Sequence, residues 1–169
     1  MKYLGAALIF FACLGAGTSR ALEMRRRVRI LRGLTAALEV MKSEICSRLS
    51  PLPQAVEAAA SGAPAELAAF FASLRRGEAD IGDRSFSDIW GAGCRETLPA
   101  LGERELAALL GLGASLGRYA AEEQGQAFDA CAAILGGALR TYETALSGGM
   151  RTAVGVWAAL GAMTVITLF

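Results

Sequence analysis

Paired carboxylates and scattered thiols are the groups in this chain whose types invite chemistry. Glu103-Arg104-Glu105 and Glu122-Glu123 set acids side by side, the raw material of a general acid/base pair. Neighbouring residues point in different directions on a helix, however, and solvated glutamates have no cause for a raised pKa. Glu103, Glu105, Glu122 and Glu123, with the adjacent Gln124, therefore read as polar helix faces and as candidate partner-docking residues. Cys13, Cys46, Cys94 and Cys131 include no C-x-x-C pair, so no metal or redox motif is legible. Cys46 and Cys131 fall where an apolar helix face takes a small hydrophobe, which predicts buried, reduced thiols. The chain has no histidine, which removes the commonest general base, the Ser-His and Cys-His dyads and imidazole zinc sites. No G-x-x-x-x-G-K loop, G-x-S-x-G elbow or G-x-G-x-x-G after a strand occurs, and Gly111-x-Gly113 sits in a leucine-rich helix. The expectation is a protein that is not an enzyme, with no catalytic residue, metal, cofactor or small-molecule substrate.

The elements that must carry these residues are helical. The 169 residues suit one domain, and 54% apolar against 20% charged excludes wholesale disorder. A net charge of +1 gives no global field for nucleic acid, and the arginines lack the interleaved aromatics of a nucleic-acid surface. The mean hydropathy of +0.41 is concentrated at the two ends. Residues 3–19 are uncharged and would span about 26 Å as a helix, near the hydrocarbon thickness of a bilayer. Residues 152–169 form a similar run. Arg20, Arg25, Arg26, Arg27, Arg29 and Arg32 follow the first run and Arg151 precedes the second. Basic residues resist translocation, so they predict a cytoplasmic centre with both termini outside, and a membrane-surface role for these seven arginines. The expected organisation is a transmembrane helix at 1–19, a cytoplasmic helical domain at 20–151 and a transmembrane helix at 152–169, with the lipid bilayer as a partner.

Within the centre, Leu31, Leu34, Leu38, Met41, Ile45 and Leu49 recur every three or four residues and predict one long helix. Ser50-Pro51-Leu52-Pro53 ends it, and Pro51 or Pro53 can open the next. Gly62-Ala63-Pro64 punctuates again before an apolar stripe of Leu67, Phe70, Phe71 and Leu74, and residues 77–84 read as a loop. Ser85 and Ser87 offer caps for a short helix bearing Trp90, which is either a binding anchor or, more commonly, core. A helix from Gly102 weakens between Gly113 and Gly117, a close packing point or a turn. Phe128, Cys131, Leu135, Leu139, Tyr142 and Leu146 then predict a last long helix, with Gly148-Gly149 as its bend at the membrane surface. The fold class is all-α: a small helical bundle built on two long antiparallel helices, each continuous or nearly so with a terminal transmembrane helix.

Five segments resemble the stage III sporulation protein AB family of endospore-forming bacteria: YLGAALI at 3–9, SPLPQA at 50–55, SFSDIW at 85–90, LGASLGRYAAEEQ at 112–124 and WAALGAMTVITLF at 157–169. The family pattern has NxxTPLPEA, LGxSLG with a glutamine shortly after, and a terminal LG with an apolar tail. This chain departs from it with Ser50 in place of threonine and with Tyr119-Ala120-Ala121 where an acidic residue often follows the turn. The resemblance implies a helical domain similar to the cytoplasmic domain of the type II secretion inner-membrane platform protein. It also implies a place in the channel complex of the mother-cell membrane around the forespore, with other sporulation channel subunits and a cytosolic secretion-type ATPase as partners.

A scaffold of that kind competes with two other classes. An exported lipoprotein or envelope-facing sensor anchored near Cys13 would need the centre outside the cytoplasm, which the arginines oppose. A holin-like pore would need far less than the segment between the two apolar runs.

Overall fold

The computed structural model describes the backbone of residues 2–78, 84–116 and 121–168 and the side chains of residues 22–77, 84–116 and 122–147. Among these, six α-helices follow one another: α1 Lys2–Lys42, α2 Leu52–Ser61, α3 Ala68–Glu78, α4 Phe86–Thr97, α5 Glu103–Ser115 and α6 Ala121–Leu168. A π-helical turn, Ser43–Ser47, closes α1, and a 3₁₀ turn, Ala65–Leu67, leads into α3. The chain divides into two compact units, one of Arg26–Leu139 and one of Met1–Arg25 with Arg140–Phe169. Residues 20–25 and 140–151 of the expected central domain thus group with the terminal segments.

Each helix of the Arg26–Leu139 unit buries one stripe. Val28, Leu31, Leu34, Leu38 and Met41 do so from α1, Ala55, Val56 and Ala59 from α2, and Phe70, Phe71 and Leu74 from α3. Ile89, Trp90 and Cys94 do so from α4, Leu109 and Leu112 from α5, and Phe128, Cys131 and Leu135 from α6. The spacing of three and four turns a sequence pattern into a face, and each fully buried leucine or phenylalanine contributes about 1.5–3 kcal/mol. In the same unit, Lys42 of α1 meets Asp129 of α6 at 2.6 Å, and a Cβ on Gly125 of α6 would lie 3.7 Å from Cys46 Sγ.

The start and stop signals act as their chemistry requires. Pro51 is the N-cap of α2 and Pro53 sits in its first turn, where a missing N–H leaves no bond unmade. Ser85 caps α4, its Oγ accepting from the Asp88 N–H at 3.2 Å. The α1 stripe, by contrast, ends at Met41. Ile45 is only half-buried, and Leu49 is 74% exposed with φ 55°. The wider π turn explains the correction: an extra residue in a turn rotates the succeeding residues by about 100°, taking Leu49 off the buried face. The sequence also predicts a bend at Gly148-Gly149, but α6 continues as helix through both.

Among the described residues no helix is long and apolar enough to cross a membrane. The expected span at 3–19 lies in α1 and that at 152–169 falls in α6 as far as Leu168, both outside the residues whose side chains are described.

Candidate functional site

The basic end of α1 places Arg26, Arg29 and Arg32 at the surface with Arg27 half-exposed. Arg29 donates through Nε to Glu66, which sits in the 3₁₀ turn before α3. The Glu66 carboxyl is held below its ordinary range by a backbone hydrogen bond first and the Arg29 guanidinium second. Gly33 makes this approach close: a Cβ there would come within 2.5 Å of Pro64 Cγ. Arg25 is exposed in the other unit, and the side chains of Arg20 and Arg151 lie outside the described residues.

The turn after α1 is fixed by one carboxylate that sequence reasoning passed over. Glu44, only 14% exposed, accepts from Arg48 Nη1 at 2.7 Å and from Ser50 Oγ at 2.8 Å. The Ser50 N–H also donates to the Glu44 carbonyl at 2.9 Å, wrapping the chain around left-handed Leu49 in the manner of a helix C-terminal cap. Ser50 therefore needs its hydroxyl, which serine and threonine share.

The acidic candidates divide by position. Glu103 and Glu105 occupy the first turn of α5, where carboxylates complement the helix dipole. Glu105 folds back over Gly102, its Oε2 lying 2.3 Å from where a Cβ on that glycine would stand. Glu122 and Glu123 are exposed in the first turn of α6. Gln124 departs from the docking role expected of it: at 8% exposure its side chain is buried. The physical reason is its register, since Gln124, Phe128, Cys131 and Leu135 share one α6 stripe.

Trp90 is core rather than anchor. It is 1% exposed, packs edge-on against Phe70 with ring centroids 5.2 Å apart, and donates Nε1–H to the Leu109 carbonyl at 2.8 Å. Gly113 makes room for it, because a Cβ there would stand 2.3 Å from Trp90 Cδ1. Both alternatives at this segment are thus realised, a packing point at Gly113 and a helix end at Ser115. Gly117 lies outside the described residues.

Cys94 and Cys131 are buried thiols in no disulfide, and Cys46, also in no disulfide, is half-buried rather than fully enclosed. Desolvation pushes the Cys94 thiol up to about 12, with the nearby Cys131 adding to the effect, and burial alone pushes Cys131 up to about 11. Thiols held protonated are poor nucleophiles. Cys13 lies outside the described side chains. Among the described residues no group of three or more His, Cys, Asp or Glu could hold a metal ion.

Two arginines outside the expected set, Arg84 and Arg95, line one cavity of about 450 Å³ beside α4. The signal for Arg95 was the helical spacing Gly91 to Arg95, which puts a glycine beneath the guanidinium.

The family model for stage III sporulation protein AB matches residues 2–169. No curated protein sequence matches the chain at significant similarity. A solved structure titled stage III sporulation protein AB superimposes with a TM-score of 0.64 at 22% identity, covering 72% of this chain and 97% of that chain. At that identity the likeness is one of fold.

Proposed function

Because the chain belongs to the stage III sporulation protein AB family and so has a role in sporulation, we propose that it is a non-enzymatic membrane platform of the mother-cell channel complex around the forespore. In this reading residues 3–19 and 152–169 cross the membrane, Arg20, Arg25, Arg26, Arg27, Arg29, Arg32 and Arg151 sit at its cytoplasmic surface, and the helical centre faces the cytoplasm. The carrying observation is that both uncharged runs are built into the longest helices, α1 and α6, which also supply a buried stripe each to the Arg26–Leu139 unit. The Lys42–Asp129 pair and the Cys46–Gly125 approach support an antiparallel course for the two, since partner numbers rise on α6 as they fall on α1.

Other channel subunits meet the spans in this scheme, and a secretion-type ATPase docks on the cytosolic helices. Glu103, Glu105, Glu122 and Glu123 are the acidic positions available to it, all in first turns of helices. An alkaline phosphatase reporter fused at Ala100 is expected to be inactive, and one fused after Phe169 active. Activity at Ala100, or release of the intact chain by a salt wash of membranes, would remove the proposal.

A further inference from the structure

Two guanidiniums that meet no acid among the described residues share one wall of a cavity. The hollow beside α4 is lined by Arg84, Ser87, Asp88, Gly91 and Arg95, with Leu110 reaching in from α5. Arg29, Lys42, Arg48 and Arg75 each hold a carboxylate. Arg84 and Arg95 hold none: both are exposed, and the side chain of neither makes an ion pair or hydrogen bond among the described residues. The second lies close over Gly91, where a Cβ would stand 3.2 Å from Arg95 Nη1. Asp88 is engaged, its Oδ2 accepting from Ser85 Oγ at 2.6 Å. Among the described lining residues two arginines stand against one aspartate, a cationic balance to which the first turn of α4 adds the positive end of its dipole.

We propose that this cavity is a docking pocket for an acidic segment of a partner protein, a side-chain carboxylate seated between Arg84 and Arg95 with its methylenes against Ala92 and Leu110. The guanidinium fork matches a carboxylate in a bidentate way, and both forks are unspent among the described residues. The cavity of about 450 Å³ is the size of a pocket for a stretch of chain, well beyond what a single small anion fills. No described lining residue is aromatic, so none of them offers a nucleotide base a ring to stack on. The site has the opposite charge to the acidic first turns of α5 and α6, and it depends on neither membrane topology nor the ATPase.

The test uses the purified full chain in neutral detergent and a fluorescein-labelled peptide of alternating glutamate and alanine, with a glutamine version as control. The glutamate peptide is expected to bind, more weakly as salt rises, and the glutamine peptide not to bind. The double substitution R84Q/R95Q should weaken binding about tenfold or more without lowering the unfolding temperature, because neither guanidinium has a partner among the described residues of the fold. R95K should fall between, keeping the charge and losing the fork. Equal peptide binding by R84Q/R95Q overturns the proposal, as does a fall in its unfolding temperature. Full displacement of the peptide by inorganic phosphate would make the cavity a phosphate site instead. Vesicles of phosphatidylglycerol that sense the two arginines while the peptide does not would make it a lipid site. Reporter fusions decide the membrane topology separately, so the two readings fail independently.

Discussion

Gly111 and Gly113 sit two residues apart in α5, yet replacing each with alanine should move stability in opposite directions. The intrinsic term is the same for both, because alanine in a helix interior is favoured over glycine by about 1 kcal/mol. At Gly111, which is exposed, a Cβ meets nothing within 4 Å, so Gly111→Ala should keep most of that gain. At Gly113 the Cβ would stand 2.3 Å from Trp90 Cδ1, 2.9 Å from Cγ and 3.0 Å from Nε1. The ring would have to retreat by roughly 1 Å to restore ordinary contact, in a core of packing density near that of a crystal. Behind it stand Phe70, edge-on at 5.2 Å, and Phe86 at 6.0 Å. Overpacking of this kind costs about 1–3 kcal/mol. The same retreat lengthens the Trp90 Nε1–H bond to Leu109, and a buried donor left unmet costs about 1–3 kcal/mol more. After subtracting the helix gain, Gly113→Ala should destabilise by about 1–5 kcal/mol, separating the two variants by about 2 kcal/mol or more. Denaturant unfolding of the full chain in detergent, followed by far-ultraviolet circular dichroism, measures this. Tryptophan emission should shift to the red in Gly113→Ala alone. If both variants move together, or Gly113→Ala is as stable as the parent, the packing argument is wrong.

Two further perturbations act on the same core and its edge. Cys94 and Cys131 are pushed up to about 12 and about 11 from an ordinary 9.0. Above pH 9 the unfolded thiols ionise while the folded ones stay protonated, so stability is whole below that pH and falls as pH rises toward the folded values. At pH 10 each thiol should cost the fold about 1.4 kcal/mol, and the C94A/C131A variant should lose correspondingly less between pH 8 and pH 10; equal losses in parent and variant would refute it. Leu49→Gly should stabilise by about 0.5–1 kcal/mol, since a left-handed residue other than glycine is strained and 74% exposure leaves little burial to lose. A lower melting temperature in that variant would count against the strain.

Much of this architecture was legible because it depends on local spacing. Ser85 caps a helix, Pro51 and Pro53 open one, and the stripes 31-34-38-41 and 67-70-71-74 are buried as their periods require. Gln124 was legible in principle too: its four-residue distance from Phe128 puts it on the buried stripe, and only its polarity argued for the surface. What could not be read depends on neighbours beyond the local pattern. The π turn at Ser43–Ser47 breaks a pattern that Ile45 and Leu49 continue on paper, and the role of Glu44 appears only when Ser50 is folded back upon it.

The glycines show the same division most sharply. Gly33, Gly77 and Gly113 each face a side chain within 2.5 Å of where a Cβ would be, whereas Gly111, Gly136 and Gly137 face nothing within 4 Å. All six lie inside helices, where the sequence alone assigns them one and the same penalty. The difference is set by Pro64, Ile89 and Trp90, residues that share no local motif with the glycines they press against. A glycine in a helix therefore becomes informative only once its opposite number is known. By that measure Gly91 falls between the two groups, a Cβ there standing 3.2 Å from Arg95 Nη1 and 3.4 Å from Leu110 Cδ2, so its nearest neighbour is a guanidinium rather than a core ring. A guanidinium that lies against so small a residue and meets no acid among the described residues of its own fold is one whose counterpart, on the proposal made for this cavity, lies on another molecule.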